Sequence, residues 1–471
     1  MSRRDQGGPR ALEDFVSGLT QAQQRMSDAG VPQRAIDVFS SFYAQLEEGA
    51  TGMIPEADVD PLTDIDHAGT IALSDEECRA AAAVTAVIKL NGGLGTSMGL
   101  DRAKTLLPVR PDLTFLDVIA GQVLTLREEL GVRMPLLFMN SFRTRDDTLA
   151  ALAKYDDLAV DGLPIDFLQN REPKLRADDL IPVDWPADPS LEWCPPGHGD
   201  LYTALEVSGI LDALLDAGFR YATVSNADNL GAAPDPAMMG WFAASGAPYA
   251  AEVCRRTPAD VKGGHIVVRK SDGRLVLRET AQTPDEDAAA AADPERHRYF
   301  HTNNLWFDLR VMKQTLTDRD GILGLPLIRN DKTVDPRDKS STKVIQIESA
   351  MGAAVEVFDG ATAIEVDRSR FLPVKTTNDL LLLRSDVYGV GDDFRLRSQV
   401  DATPLVDLDR RFFTTITDFD ARLPSPPSLA EATSLRVEGD WHFGADVVVR
   451  GDVTLSDHGT ADSVAAGSTL G

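Results

Sequence analysis

Between residues 83 and 225 the apolar positions gather into short runs, 83–88, 135–139, 164–168 and 221–225, and the longer stretches between them repeat apolar residues at helical spacing. Short buried runs alternating with helical patterns predict an α/β fold with a mostly parallel sheet, whose ligand site lies at the carboxyl ends of the strands. Residues 89–95, Asn140, Gln169 and residues 226–228 each directly follow one of those runs. The pattern differs at the two ends of the chain. Residues 10 to about 80 predict helix: Leu12, Phe15, Val16 and Leu19 fall at i, i+3, i+4 and i+7, Ile36, Phe39, Tyr43 and Leu46 follow a similar spacing, and Gly30-Val31-Pro32 breaks the two stripes. These stripes read as packing surfaces for the next domain. After about residue 385, and most clearly in 435–459, apolar doublets recur at roughly six-residue spacing between glycine turns, which predicts a small stack of short strands. The Ala- and acid-rich segment 285–295 reads as a solvent-facing helix or loop without chemistry.

With 471 residues, 43% apolar and 6% aromatic, the chain should form two or three domains. No segment approaches the length of a membrane span, and the first residues lack the apolar stretch of a secretory signal, so a cytoplasmic protein is expected. Cys78, Cys194 and Cys254 form no CxxC pair, which argues against a disulfide framework or a zinc ribbon. A formal net charge of −27 argues against nucleic acid as a partner. A site for phosphates must then be a local positive patch, and Lys89, Arg102, Lys104, Arg171, Lys262 and Lys375 are candidates because each falls in a loop-like block.

One such block, KLNGGLGTSMGLDRAKTLLPVR at 89–110, reads as a phosphate-cradling loop delivered by a buried strand. Glycine lets backbone N–H groups approach phosphate oxygens, and a helix expected after Gly99 would direct its positive end at the same anions. A dinucleotide-binding fingerprint would also need an acidic strand end about 20 residues on, and Asp117 lies instead in an amphipathic segment. A P-loop fails because Lys104-Thr105 follows Ala103 and not glycine. Taken alone, the glycines could also simply form a tight turn.

Compared as a whole, KLNGGLGTSMG followed by Lys104 closely resembles the eukaryotic-type UTP–glucose-1-phosphate uridylyltransferases, the UDP-glucose pyrophosphorylases. The resemblance continues in order through MNSFRTRDDT (139–148), FLQNREPKL (167–175), CPPGHGDLY (194–202), VSNADNLGA (224–232), TPADVKGG (257–264), FHTNNLW (300–306), IQIESAMGAA (345–354) and FLPVKTTNDLL (371–381). It implies a nucleotide-diphospho-sugar transferase fold: a Rossmann-like catalytic domain with a mostly parallel mixed sheet over 83–385, an N-terminal helical segment over 1–82 packing on it, and a C-terminal left-handed parallel β-helix over 386–471, whose exposed end could serve self-association or nothing at all. It also implies a reversible transfer between UTP and glucose-1-phosphate, giving UDP-glucose and pyrophosphate, with Mg²⁺ as cofactor and with neither nucleic acid nor membrane as partner.

Residue by residue, the resemblance makes Asp228 the metal ligand and Lys104 and Lys375 the phosphate-binding lysines, these three being the catalytic set. From the residues alone, Asp228 reads equally well as a turn or cap residue. Gln169, with the backbone of Leu90, Asn91, Gly92 and Gly93 and of the Gly197-His198-Gly199 turn, is implied to hold the nucleotide. An amide both donates and accepts, as uracil O4 and N3–H require, although Gln169 could also be only a polar strand end. His198, between two glycines, is expected to expose its ring and to bind phosphate without acting as a base. Asn226 is implied to orient a phosphate, and Gly264, Glu279, His301 and Asn303 to hold the sugar. His301 stands where the family pattern usually has Asn; it keeps hydrogen-bonding capacity but changes shape, so the family's sugar discrimination does not carry over at that position, whereas Asn303 matches the pattern. A relative acting on another sugar-1-phosphate, such as N-acetylglucosamine-1-phosphate, is the first alternative, and a catalytically idle nucleotide-sugar binding protein is the second. The latter would be expected to lose Lys104, Asp228 or Lys375, and all three are present.

Overall fold

A computed structural model describes residues 17–257, 260 and 263–471. Leu12, Phe15, Val16 and Lys262, singled out above, lie outside the described residues. The expected runs form strands of one eight-stranded sheet. Its strands are β1 (Asp66–His67), β2 (Thr85–Asn91), β3 (Leu136–Asn140), β4 (Asp166–Leu168), β5 (Tyr221–Asn226), β6 (Tyr249–Arg255), β7 (Tyr299–Asp308) and β8 (Thr362–Glu365), in the order β1-β8-β6-β7-β5-β2-β3-β4. Every neighbouring pair is parallel except the two made by β7, which runs antiparallel between β5 and β6. The sheet is therefore mixed and mostly parallel. Its centre is buried on both faces, which is why the sequence shows continuous apolar runs there instead of alternation. Ala86, Ile88 and Val224 join an apolar cluster on one face, and Val87, Phe138 and Ala250 join another on the opposite face.

Helix α2 (Gln33–Glu47) forms as the spacing predicts and buries Ile36, Phe39, Tyr43 and Leu46 in the first cluster, and α1 (Gly18–Asp28), of whose predicted stripe only Leu19 is described, adds Met26 to it. The expectation of helix through residue 80 needs correction. Gly49, Gly52, Pro55 and Pro61 end the helical stretch, and the chain becomes extended: Val59–Pro61 pairs with the strand His265–Arg269, and β1 adds to the sheet edge beside β8. Helix resumes only over Asp75–Ala82, behind a Ser74–Glu77 capping box.

The helix expected directly after Gly99 is also absent. Gly95 and Gly99 both adopt left-handed φ, +66° and +73°, around a single 3-10 turn at Thr96–Met98, and a second such turn covers Lys104–Leu106. The first long helix begins at Phe115, where Thr114 and Asp117 form a reciprocal cap. Asp117 thus closes a helix end and also binds Lys154 and the Tyr155 hydroxyl, which removes the dinucleotide reading.

The segment 285–295 contains the expected helix, Ala288–Ala292, but its flank is not merely solvated. Asp287 accepts from the Glu56 backbone N–H at 2.7 Å and from Arg278, whose side chain is fully buried and also pairs with Glu56. Near the C-terminus the strands Leu405–Leu408, Ser428–Val437, Val448–Leu455 and Thr469–Leu470 stack in parallel, as do Trp441–Phe443 and Asp462–Val464. Their inward residues, among them Leu435, Val449 and Phe443, share the second apolar cluster with the helix Phe115–Leu130. Among the described residues no helix is long and apolar enough to cross a membrane.

Candidate active site

A cleft of about 260 Å³ opens at the carboxyl ends of β2 to β5, and its lining includes Leu90, Asn91, Gly92, Gly93, Lys104, Gln169, Gly197, His198, Asn226 and Asp228. The strand ends are knitted by Asn91, whose Nδ2 donates to Asn140 Oδ1 and Thr148 Oγ1 at 2.8 Å each, while its Oδ1 accepts from Thr105. The Asn91 side chain is therefore committed to architecture, and its backbone is the part that faces the cleft. Gly92 is required by packing, since a Cβ there would lie 2.7 Å from Gln169 Oε1. The missing methyl lets the Gln169 amide lie across the glycine loop.

Lys104 donates from Nζ to Asp228 Oδ2 at 2.9 Å and to the Val374 carbonyl. Lys375 Nζ approaches the same Oδ2 at 3.5 Å. Burial pushes the Asp228 carboxyl upward, but Lys375 and Lys104 outweigh it and hold the group below the usual carboxylate range. Its Oδ1 is buried without a hydrogen-bond partner. Two lysines against one carboxylate leave a net positive charge here, inside a chain of charge −27.

Of the other cations proposed for this patch, Lys89 is a correction. Because β2 continues to Asn91, Lys89 is a strand residue, 1% exposed, whose Nζ donates to Ser225 Oγ and the Ala232 carbonyl at 2.7 Å each. Burial, reinforced by Arg370, lowers its pKa to about 7. Arg171 donates to the Ala29 carbonyl and stacks on Phe142 and Trp193, so it braces α1, and Arg102 is exposed.

His198 also differs from expectation. Its ring does not swing freely, because Nδ1 accepts from the Met351 backbone N–H at 3.0 Å. Burial, with Lys375 adding repulsion, lowers its pKa to about 4, so the ring is neutral near pH 7 and carries its proton on Nε2. The flanking glycines permit close approach to Ser349: a Cβ on Gly197 would lie 2.6 Å from Ser349 O. The Gly199 N–H donates to Ser349 O at 2.8 Å, so that donor is spent on the fold and not available to a base.

The four residues implied to hold the sugar form an adjoining group. His301 N–H donates to Gly264 O at 2.9 Å, and a Cβ on Gly264 would lie 2.8 Å from Glu279 Oε1. Burial pushes Glu279 up to about 7. Asn303 sits at φ +58° in a bulge of β7, where the β6 register shifts between Ala251 and Val253. His301 is 2% exposed, and burial, with His198 nearby, lowers its pKa to about 3. Neither ring nitrogen makes a well-formed hydrogen bond, and neither does Asn303 Oδ1. Three buried polar atoms are thus left unpaired side by side, where most such groups find a partner. Gly352 packs on the His301 ring and Met351 holds His198, so the segment 349–352 joins the two halves of the site.

Sequence reasoning missed the supports of this site. Glu252, fully buried in β6, and Arg370 form a two-armed pair beneath the cleft. Glu252 lies inside a strand pattern with no motif around it. Asn229 and Ser349, by contrast, stand within blocks quoted above, VSNADNLGA and IQIESAMGAA, and could have been questioned there.

A mixed α/β sheet whose strand ends carry a glycine loop, two lysines and one half-free carboxylate has the make-up of a nucleotidyltransferase. Comparison with known proteins gives the family. Residues 36–450 match the model of the UTP–glucose-1-phosphate uridylyltransferase family. A barley protein of that name is 37% identical over 455 residues, covering 95% of this chain and 93% of the relative. The Saccharomyces cerevisiae enzyme is 41% identical over 374 residues, covering 79% of this chain and 73% of its own. Among solved structures, a UDP-glucose phosphorylase from Trypanosoma brucei superposes with a TM-score of 0.90 at 42% identity, covering 96% of this chain and 98% of its own. A UDP-glucose pyrophosphorylase mutant from Leishmania major, in complex with UDP-glucose, has a TM-score of 0.90 at 39% identity, with 97% and 98% covered. The chain belongs to the UTP–glucose-1-phosphate uridylyltransferase family.

Proposed function

We propose that this chain transfers the uridylyl group of UTP to glucose-1-phosphate, forming UDP-glucose and pyrophosphate, and that it also runs the reverse reaction. The observation that carries this is the Lys104–Asp228–Lys375 cluster placed beside the Gln169 amide. A phosphate oxygen of the sugar phosphate attacks the α-phosphorus in line, a new P–O bond forms, and the bond to pyrophosphate breaks. The attacking oxygen is already anionic, so no side chain need remove a proton.

Gln169 reads the uracil edge, donating toward O4 and accepting from N3–H. Leu90, Asn91, Gly92, Gly93 and Gly197 supply backbone around the base and ribose. Lys104 exchanges part of its hold on Asp228 for UTP phosphate oxygens and neutralises the departing pyrophosphate, while Lys375 contacts the α-phosphate. Neutral His198 donates Nε2–H to a phosphate oxygen, and Asn226 orients the sugar phosphate. Glu279, His301, Asn303 and the backbone of Gly264 receive the sugar hydroxyls.

Mg²⁺ fits Asp228, whose Oδ1 is unpartnered, and this ion usually takes one or two carboxylates and fills its shell with phosphate and water. When bound, the ion would screen the phosphate charges and polarise the α-phosphorus.

The division into 1–82, 83–385 and 386–471 serves as the functional partition in this reading. The C-terminal parallel ladders and their six-residue spacing support a left-handed β-helix whose open end self-associates. The three free cysteines fit a reducing, cytoplasmic setting. Pyrophosphate release from Mg²⁺, UTP and a panel of sugar-1-phosphates tests the function; release only with a sugar other than glucose would move the specificity, with His301 the residue to exchange first.

A further inference from the structure

Asn229 lies immediately after Asp228, is 1% exposed, and uses every hydrogen-bonding position of its side-chain amide. Its Nδ2 donates to Asn304 Oδ1 and to the Arg370 carbonyl, both at 3.1 Å, and its Oδ1 accepts from Leu372 N–H at 2.8 Å and Gly231 N–H at 3.2 Å. An amide has two donors and two acceptor sites, so this one is saturated. Two of the four bonds clamp the segment 370–372. Two residues on, Val374 N–H donates to the Asp228 carbonyl at 3.2 Å, and Lys375 follows just before Thr376, the N-cap of the helix Thr377–Arg384. The clamp is anchored from below, because Arg370 Nε and Nη2 grip the fully buried Glu252 at 2.8 and 2.7 Å. Gly231 makes the close approach sterically possible, since a Cβ there would lie 2.3 Å from Ser369 O.

We propose that Asn229 is a positioning residue: its amide fixes the register between the segment carrying Lys375 and the strand end carrying Asp228, so that Lys375 reaches the phosphate whose metal ion Asp228 would hold. This rests on the reading that Asp228 and Lys375 serve nucleotidyl transfer. The alignment matters most when charge builds on the phosphates, so its loss falls on turnover and on the metal-dependent part of nucleotide binding. Sugar binding involves other residues and is spared.

The test is Asn229→Asp, which keeps the shape but removes both donors, with Gly231→Ala as a second variant that pries off the same segment sterically. For each, kcat, both KM values and the melting temperature are measured, together with UTP affinity by calorimetry with and without Mg²⁺. The expected result is about a tenfold to hundredfold loss of kcat at temperatures well below melting, the size of leaving such buried partners unmade. KM for glucose-1-phosphate stays within about twofold, the Mg²⁺-dependent gain in UTP affinity disappears, and in a Lys375→Ala background Asn229→Asp costs little more. Unchanged kcat below melting, or losses that add fully with Lys375→Ala, would overturn the proposal and leave Asn229 a stability residue. A wild-type protein inert toward every sugar-1-phosphate would sink the functional reading instead. The calorimetry then decides the register claim alone: loss of the Mg²⁺-dependent gain supports it, and retention overturns it.

Discussion

Lys104 and Asp228, 124 residues apart, meet at 2.9 Å through Nζ and Oδ2, while the other carboxylate oxygen is buried and bonded to nothing. A buried carboxylate with one idle oxygen is costly unless a further partner arrives. Lys375 stands 3.5 Å from that carboxylate and the Gln169 amide lines the same cleft; the partner we propose is a divalent cation brought with nucleotide phosphates.

Asp228→Asn keeps the shape and removes the charge. We expect turnover to fall by about two decades or more, in line with losing a contact worth about 2.7–4 kcal/mol in the transition state. The Mg²⁺ concentration giving half-maximal rate should rise. An unchanged Mg²⁺ dependence in a steady-state titration would remove Asp228 from the metal site.

Gln169→Glu exchanges the donor half of the amide for an acceptor, leaving uracil O4 unpaired. KM for UTP should rise about tenfold to a hundredfold, the scale of an unmade buried hydrogen bond. Discrimination against CTP should narrow, because a carboxylate accepts from the cytosine amino group. Gly92→Ala should mimic the effect on UTP at little cost in melting temperature, since the added Cβ meets only the end of the Gln169 side chain, 2.7 Å away.

Acid should destabilise the fold through its buried histidines. His198 and His301 have native pKa values near 4 and 3, below the ordinary 6.5, so between those limits the unfolded chain binds more protons and stability falls as pH drops. For His301 alone the loss between pH 6.5 and 5 is about 2 kcal/mol, at about 1.36 kcal/mol per unit. His301→Asn should flatten the decline in denaturant midpoint over that range; an identical decline in the variant would contradict the burial argument.

Glu279 points the other way. Its carboxyl titrates near 7, so it becomes a charged acceptor only above that pH. KM for the sugar phosphate should fall as pH rises through 7 in the native enzyme and stay level in Glu279→Gln, as initial-rate profiles at saturating UTP would record.

Much of this was legible in the chain. The apolar runs located β2 to β5, because strands buried on both faces cannot alternate, and after three of those runs Leu90 to Gly93, Gln169, Asn226 and Asp228 do line the cleft, whereas Asn140 is fully buried and bonds Asn91 and Asp166 instead. Strand ends were less legible: β2 carries on through Lys89, Leu90 and Asn91, which turned a supposed phosphate lysine into a buried strap. The helix after Gly99 failed because Gly95 and Gly99 take left-handed φ around a single turn, the chain becomes extended at Pro108–Arg110, and the next reciprocal cap is at Thr114. Long-range polar pairing was invisible. Glu252 with Arg370, and Met351 with His198, join positions 118 and 153 residues apart, which no local pattern encodes.

The most direct test of the account is pyrophosphate release from UTP, Mg²⁺ and glucose-1-phosphate, compared between the native protein and Lys104→Ala. The account predicts robust release from the native protein and a loss of about two to three decades in the variant. Equal rates in the two proteins, or no release from a native protein that binds UTP, would contradict it.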